Sequence, residues 1–572
     1  DHLVIYPNSQ QRKHAVNGFG VLENLNIPGL IIDEKSNQVD VMGLQATLYL
    51  NGQECDIREI QMLRPRDIEK IEYHDAPSGK YAKDKLVVNF ITKQYRYGGY
   101  VQADGLQTIG YDHGDYNVAT NYVKGNNSYT VFAGANYSHV DGTETWNNEN
   151  YQFPQSLFDR ESYSRNSYRN HQEYMQFRYQ NQKGKRYWVG KFTLVNLSTP
   201  RNASSGFAKE STETDVFSNI RKKSLSPKID LNANLPLSKN QTLTLGVHGK
   251  YSANSYHRLY QEQPFETMTD EDEKALSFQL SAIYNYFSQK HSLSVELFHY
   301  HDVWNADYSG NCELWQHLWK GESLAFFSYN FQASRRLSLK TRIGLDWLQY
   351  HLHGDNSFSQ LSPRINTNVQ YQLNKGMLLW SFNFMNSNHG MDVINRAMIQ
   401  VNSHMMEKGM PELKKSHNIN TYLYYMGRFN RLSVSAIGQF RYNHHPVTDD
   451  YYLDEANGKI VKTYSNGGNV QYYSAILALQ YKLCKFANLS GDIRYNHAEV
   501  KTTWSKHNNN LTGNLGLNMF MGDFALKPYL HFGKKSLDEA ALMISKTPID
   551  YGMSCSYSRG NLYVELQAVS PF

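Results

Sequence analysis

The chain has 572 residues, 19% of them charged and 40% hydrophobic, with a net charge of +5 at pH 7. No stretch approaches the roughly 20 apolar residues that a membrane helix needs, and the basic residues form no block that would grip nucleic acid; both classes are set aside. Cys55, Cys312, Cys484 and Cys555 lie far apart with no CxxC pair, which argues against a zinc site or a disulfide framework.

The first residues, "DHLVIYPNSQQRKH", have neither the charged start nor the apolar run of a signal peptide. The sequence is therefore expected either to follow a removed leader or to begin within a longer protein. "VLENLNIPGLIID" leads towards "LYLNGQ", a strand entering a tight turn at Asn51-Gly52, where a left-handed backbone costs little. "IREIQML" places Ile57, Ile60, Met62 and Leu63 as the apolar side of a short helix, which Pro65 ends. "IEKIEYHD" reads as a strand, "APSGKY" with Pro77 and Gly79 as a turn, and "LVVNFITK" as a second strand. Residues 1–96 are predicted to form a small mixed α/β domain.

From about residue 98 the pattern changes to alternating segments in pairs. In "LTLGVHGKY", Leu243, Leu245, Val247 and Tyr251 share one face, and Thr244, Gly246, His248 and Lys250 the other, the period of two that a strand requires. In "LSLKTRIGLDW", Leu337, Leu339, Ile343, Leu345 and Trp347 line one side, whereas Lys340, Arg342 and Asp346 line the other and are expected to face water. Short polar turns such as "KGNN" at 124, "QKGK" at 182 and "MGD" at 521 join strands predicted at about 8 to 13 residues. The stretches 141–172, 197–227, 304–322, 388–418 and 445–469 are predicted as long loops. Short turns at one end and long loops at the other describe a transmembrane β-barrel over residues 97–572. A sandwich or propeller also alternates, but a propeller blade fits four strands into about 40 to 45 residues, an interval that here holds two strands and a loop. One strand and ten hairpins give about 21 strands; barrels of this type use even numbers, so about 22 are expected, with the last strand missing after Phe572. The alternative is that Phe572 is the terminal aromatic of a complete barrel and the count is one off.

The chain carries 43 tyrosines, more than a core requires, and a lipid-facing wall explains them as interfacial girdles at "YW" 187, "DWLQY" 346 and "YY" 472. His299 and His301, and His351 and His353, are spaced two apart with Asp302, Asp307 and Asp355 nearby, a spacing that suits a metal site. Their parity, however, continues the outward faces of Leu293 to Leu297 and of Ile343 to Trp347, so outward interfacial histidines are expected and no metal site.

The segments "LYLNGQ", "LRPRDIEKIEYHDAPSGKY" and "VVNFITK" resemble the plug of TonB-dependent outer-membrane receptors and transporters of Gram-negative bacteria. The motifs cover about 50 residues, with Asn51, Gly52, Pro65, Pro77 and Gly79 as the plug positions that match. The resemblance implies a plug inside the barrel lumen, residence in outer-membrane lipid, and active import driven by a periplasmic TonB-type coupling protein, with a surface lipoprotein as a further partner. The nutrient it implies is too large for porins: an oligosaccharide, a peptide or a metal chelate. Two features depart from the family pattern. No coupling motif is evident before Val21, and there is no room for an upstream β-sandwich.

No nucleophile motif, phosphate-binding loop, HExxH or dinucleotide fingerprint occurs in a supporting context, so neither an enzyme nor a cofactor is expected. Trp304, Trp315 and Trp319, set among Asp, Asn, Gln and Glu, are candidate substrate-binding residues, because an apolar platform with a few polar anchors can hold a sugar or peptide. The other reading is that they pack the loop on itself or on the girdle. A rival to import is a non-transporting surface receptor or assembly scaffold in which the plug is a permanent stopper.

Overall fold

A computed structural model describes residues 3–25, 30–33, 38–41, 44–55, 57–74, 86–93, 95–109, 112–154, 156–355, 357–386, 391–412, 415–533, 535–546, 549–560 and 562–570. Within the N-terminal region, a five-stranded sheet runs in the order Leu3–Ile5, Ile68–His74, Val87–Thr92, Thr47–Leu50, Gln53–Glu54. The Asn51-Gly52 turn is a two-residue hairpin with both residues at positive φ (52° and 77°), the geometry that this dipeptide tolerates best. It is tied to the neighbouring strand: Thr92 N–H donates to Asn51 Oδ1 at 2.9 Å, and Gly52 N–H donates to Asn89 Oδ1 at 2.9 Å. The two plug motifs therefore hold each other. The expected helix is Ile57–Gln61, and Pro65 opens a single 3-10 turn, Pro65–Asp67, beyond it. A second helix, Gly18–Leu25, crosses so close that a Cβ on Gly18 would stand 2.7 Å from the Ile60 carbonyl oxygen. Pro77 and Gly79 lie outside the described residues.

Twenty-one strands follow in sequence order around one sheet, whose order returns from Leu562–Val569 to Tyr97–Gln107. Neighbours pair antiparallel; with an odd number, the first and last strands run parallel where the order closes. The seam is sparsely flanked: Val101 and Leu566 are 75% and 74% exposed, against 50% for Ile343 within the wall. Around that wall the alternation is the one expected. Along Leu337–Leu352, Leu339, Ile343, Leu345 and Trp347 are exposed while Lys340, Asp346, Leu348 and Leu352 are buried. The exposed apolar side chains recur on successive strands, from Val118, Phe177 and Phe192 to Leu423, Leu477, Ile493 and Leu515. A belt of that extent is compatible with lipid and not with water. Near the short turns a tyrosine ladder (Tyr97, Tyr122, Tyr129, Tyr179) has ring centroids 5.3 to 6.4 Å apart, an interfacial girdle.

Two expectations are corrected. The strands run from 8 residues (Leu562–Val569) to 28 (Ser156–Lys183), where about 9 to 11 tilted residues suffice to cross a bilayer. Stretches 141–172, 197–227 and 304–322 are mostly strand, because the hydrogen-bonded ladder continues beyond the lipid where neither face needs to be apolar. The barrel thus carries a tall wall from Asn127–Phe153 to Leu314–Gln332. Secondly, Lys340, Arg342 and Asp346 do face the lumen, but as buried or half-buried groups and not as solvated charges. Ile343→Arg, on the lipid face midway along its strand, is expected to destabilise the membrane-folded barrel by about 2–4 kcal/mol. Folding into vesicles, read by heat-dependent gel mobility, checks it, with Ser338→Asn as an inward-facing control that leaves folding unchanged.

Candidate functional site

The helix Ile57–Gln61 turns its polar side, Arg58 and Glu59, towards the inner wall. Glu59 is 1% exposed; it accepts from Arg178 Nη1 at 2.9 Å and from Lys191 Nζ and Gln176 Nε2, each at 3.2 Å. Arg58 donates to Asn117 Oδ1 (3.1 Å) and Gln172 Oε1 (2.8 Å) and stands 3.7 Å from Asp115. Burial pushes the Glu59 carboxyl up, but Lys191 and Arg178 outweigh it, and its pKa ends below the ordinary carboxylate value. Three wall strands, Asp112–Lys124, Ser156–Lys183 and Arg186–Lys209, are latched to the plug in this way.

The opposite side of the plug is attached differently. Its core, including Phe19, Leu22, Ile60, Ile71, Val88 and Phe90, is continuous with Met377, Leu379, Tyr422, Tyr424, Ile437 and Ile476 of the wall. At the edge facing the short turns, Lys13 pairs with Asp523 (2.5 Å) and Glu23 with Lys527 (2.8 Å). Between these sides the wall carries its own ion pairs: Arg342 on Glu296 at 2.7 Å, and Arg364 bridging Asp346 and Glu322.

Further from the short turns, two inserts in the lower part of the wall build a roof. Met398–Gln400, Met405–Lys408, Lys459–Ser465 and Thr448–Asp454 form one four-stranded sheet. It is fastened to the tall wall. Arg160, itself buried, lies 2.9 Å from Glu262, 3.0 Å from Glu210 and 3.1 Å from His404 Nδ1, and donates to the Tyr260 hydroxyl at 3.0 Å. Arg258 donates to the carbonyls of Gln400 (3.2 Å) and Val401. Asn395, from the same insert, accepts from Gln316 and donates to Tyr308.

Between latch and roof the inner wall is polar. From His248, paired with Asp230 at 2.6 Å, to Arg258 the strand Gln241–Glu262 climbs roughly 33 Å at about 3.3 Å per residue. The inward side chains on this climb include Lys228 directly opposite Lys250, Ser226 with Ser252, and Asn254 with Glu273, topped by Lys222 over the Tyr256 ring at 5.3 Å. No ion pair joins Lys228 or Lys250 to a described residue.

The three tryptophans are not brought together. Trp304 lies on His291–Gly310 with the inward parity of Ala306 and Tyr308, and packs against that buried cluster. Trp315 and Trp319 lie on Leu314–Gln332 with outward parity, Trp315 stacked beside His317 and Trp319 edge-on to His301 at 5.3 Å. His299, His301, His351 and His353 are outward as expected, His301 stacked on Phe278 at 4.8 Å. Among the described residues no group of three or more metal-ligating side chains occurs. In the sequence the latch has only one local signal, the polar side of the helix over 57–61.

No family model and no curated protein matches the chain. Solved structures do match over nearly its whole length. The copper transporter OprC superposes with a TM-score of 0.65 at 11% identity, covering 99% of this chain and 91% of its own. The pyoverdine outer-membrane receptor FpvA from Pseudomonas aeruginosa PAO1 gives 0.63 at 11% identity (99% and 89%), and the siderophore receptor PirA from Pseudomonas aeruginosa 0.58 at 12% (100% and 96%). The chain has the fold of the TonB-dependent outer-membrane receptors. In the terms of that fold, the latch is a contact between the N-terminal α/β region and the ladder of strands.

Glu59→Ala would remove the carboxylate that Arg178 and Lys191 share, and plug docking is expected to weaken by about 3–5 kcal/mol. Hydrogen exchange of the 57–61 backbone would rise, while exchange in the barrel ladder stays unchanged. At the roof, burial and then the Arg160 charge hold the His404 pKa below its ordinary 6.5. A lowered histidine value means that the released form binds protons more readily, so attachment is complete above about pH 6.5 and weakens as pH falls below it. Proteolytic cutting within 398–408 should therefore increase between pH 7 and pH 5 in the wild type, and His404→Gln should remove that dependence.

Proposed function

We propose that this protein is an active outer-membrane importer, coupled through a periplasmic TonB-type protein, for a polar nutrient too large for porins. The supporting observation is the mixed attachment of the plug: apolar packing on the side of Met377, Tyr422 and Ile437, and a few buried ion pairs through Arg58 and Glu59 on the other. A permanent stopper would gain more from apolar packing all round, since a buried ion pair often contributes no more than well-packed apolar side chains of the same volume. Ion pairs fix the plug's register, and they separate when mechanical work or a competing charge reaches them.

Among oligosaccharide, peptide and metal chelate, the last is the reading we favour. OprC is a copper transporter, and FpvA is an outer-membrane receptor for pyoverdine. In this chain Lys228 and Lys250, which form no ion pair with a described residue, with Lys222 above them, favour an anionic chelate on the inner wall. Trp304 is the one member of the tryptophan set whose parity points it inward at the same level.

Deleting the periplasmic coupling protein is expected to abolish accumulation of a radiolabelled ferric or cupric chelate; accumulation that persists would support the scaffold reading. Lys228→Gln with Lys250→Gln should raise the half-saturating concentration of an anionic chelate by roughly tenfold, with a weaker effect at high salt. Trp304→Ala should also weaken uptake, whereas Trp315→Ala and Trp319→Ala should leave it unchanged. Loss of uptake on the latter two alone would sink the assignment of the inner wall.

A further inference from the structure

The basic residues form no block in the sequence, yet the barrel gathers many of them at one end. Nine of its ten short turns contain or directly adjoin a lysine or arginine, among them Lys124, Lys185, Arg335, Arg336, Lys485 and Arg559. These side chains are exposed. The carboxylates are distributed the opposite way. No Asp or Glu occurs in 116–140, 174–209, 231–261, 274–295, 323–345, 356–391, 413–448 or 456–491, the segments that hold the first eight of these turns. The ninth turn carries Asp523, which is held by Lys13 at 2.5 Å and is the acidic group that acts on Arg559. The other basic side chains of the rim form no ion pair with a described residue; Arg336 donates to Asn374 Oδ1 at 2.9 Å, and Arg186 lies over the Trp188 ring at 5.7 Å.

In this fold the short turns face the periplasm. Solubility alone does not account for a rim of one sign, since a surface that mixes both signs serves solubility without the self-repulsion of a single-sign field. Nor does the surrounding bilayer account for it. Lys185, Lys239, Lys290, Arg335 and Lys375 lie in the turns themselves, beyond the last paired residues of their strands. Arg428 and Lys482 are exposed although they share the inward parity of Tyr424 and Ala478. Lipid beside the barrel meets outward side chains, whereas this charge opens along the barrel axis. It also follows the rim from the first turn to the last, so a partner that meets all of it is as broad as the barrel.

We propose that this rim docks on the peptidoglycan layer beneath the outer membrane, its lysines and arginines pairing with the free carboxylates of the peptide stems. That layer has the required form, a broad mesh with a repeating anionic group. An ammonium or guanidinium donates charge-assisted hydrogen bonds to a carboxylate. One exposed pair of this kind contributes little, because water and salt screen it. Turns spread around a rim, each meeting the same repeating group, hold as an array whose avidity exceeds that of any single pair. Docking at this end leaves the mouth on the roof side, and the inner wall with Lys228 and Lys250, free for the ligand.

The test uses the purified full chain in detergent, sedimented with increasing amounts of peptidoglycan sacculi stripped of bound protein. The rim variant is Lys185→Gln/Lys239→Gln/Arg335→Gln/Lys375→Gln/Lys485→Gln. The control, Arg169→Gln/Arg201→Gln/Lys209→Gln/Arg221→Gln/Lys223→Gln, removes the same charge from the tall wall, and heat-dependent gel mobility confirms that each variant is folded. The rim variant should need roughly tenfold more sacculi for half-maximal binding, while the control binds as the wild type does. Amidation of the sacculus carboxylates should lower wild-type binding to the level of the rim variant. Raising salt from about 0.05 M to about 0.5 M should weaken the wild type more than the rim variant. Equal binding by the wild type and the rim variant, an equal loss in the control, or indifference to amidation would each overturn the proposal. So would a rim variant that keeps its sacculus binding and loses only its affinity for bicelles containing phosphatidylglycerol, a result that would give the rim to the inner leaflet.

Discussion

Everything in this molecule depends on one constraint: within lipid, a backbone N–H or C=O has no water to bond and must be paired by the chain itself. A ladder of antiparallel strands meets that demand for 21 segments at once. Closing the ladder in turn fixes the direction of every side chain, since alternate residues must point to lipid or to the lumen. Ile343, Leu345 and Trp347 meet lipid for the same geometric reason that Lys340 and Asp346 are carried inside. A lumen lined in this way is wide and polar, and the α/β plug is the domain that its charges are matched to.

The match is uneven around the circumference, and the unevenness is informative. Where Met377, Leu379 and Tyr424 line the wall, the plug core simply continues into the barrel, a contact stabilised by area and indifferent to small shifts. Where Arg178 and Lys191 line it, a single carboxylate on a five-residue helix satisfies two cations, and a displacement of a few ångströms ends the interaction. The apolar side suits a pivot and the ionic side a catch. Between them, the Asn51–Thr92 and Gly52–Asn89 bonds tie the turn of the plug sheet to its neighbouring strand.

The sequence showed the parts governed by local rules. Period-two alternation marked the wall, the Asn51-Gly52 turn formed as its φ preferences require, and the parity of His299 and His301 placed them outward. It did not show how far the strands run. Once a strand leaves the lipid its faces need not differ, so residues 141–172 lose the alternation while keeping their ladder. The tryptophans do not converge for the same reason: a loop would let Trp304, Trp315 and Trp319 meet, whereas a ladder sends Trp304 inward and the other two outward. Glu59 is not legible in the sequence, because nothing local distinguishes a solvated glutamate on a short helix from one inserted between an arginine and a lysine over 100 residues away.

The roof places a second barrier in series with the plug. Its four strands come from two inserts on the low side, yet its anchors, Arg160, Arg258, Tyr260 and Glu262, belong to the tall side, so it spans the mouth and does not fold back on its own strands. Both barriers rely on buried arginine and carboxylate groups, which define one geometry strictly while adding little net stability. Such contacts are made and broken as units, because removing one partner leaves the other desolvated. Along the strand Gln241–Glu262, Lys250 with Lys228 opposite it lies between the roof contacts of Arg258 and Tyr260 and the His248–Asp230 pair, so the two sets of buried contacts are separated by a polar stretch of wall.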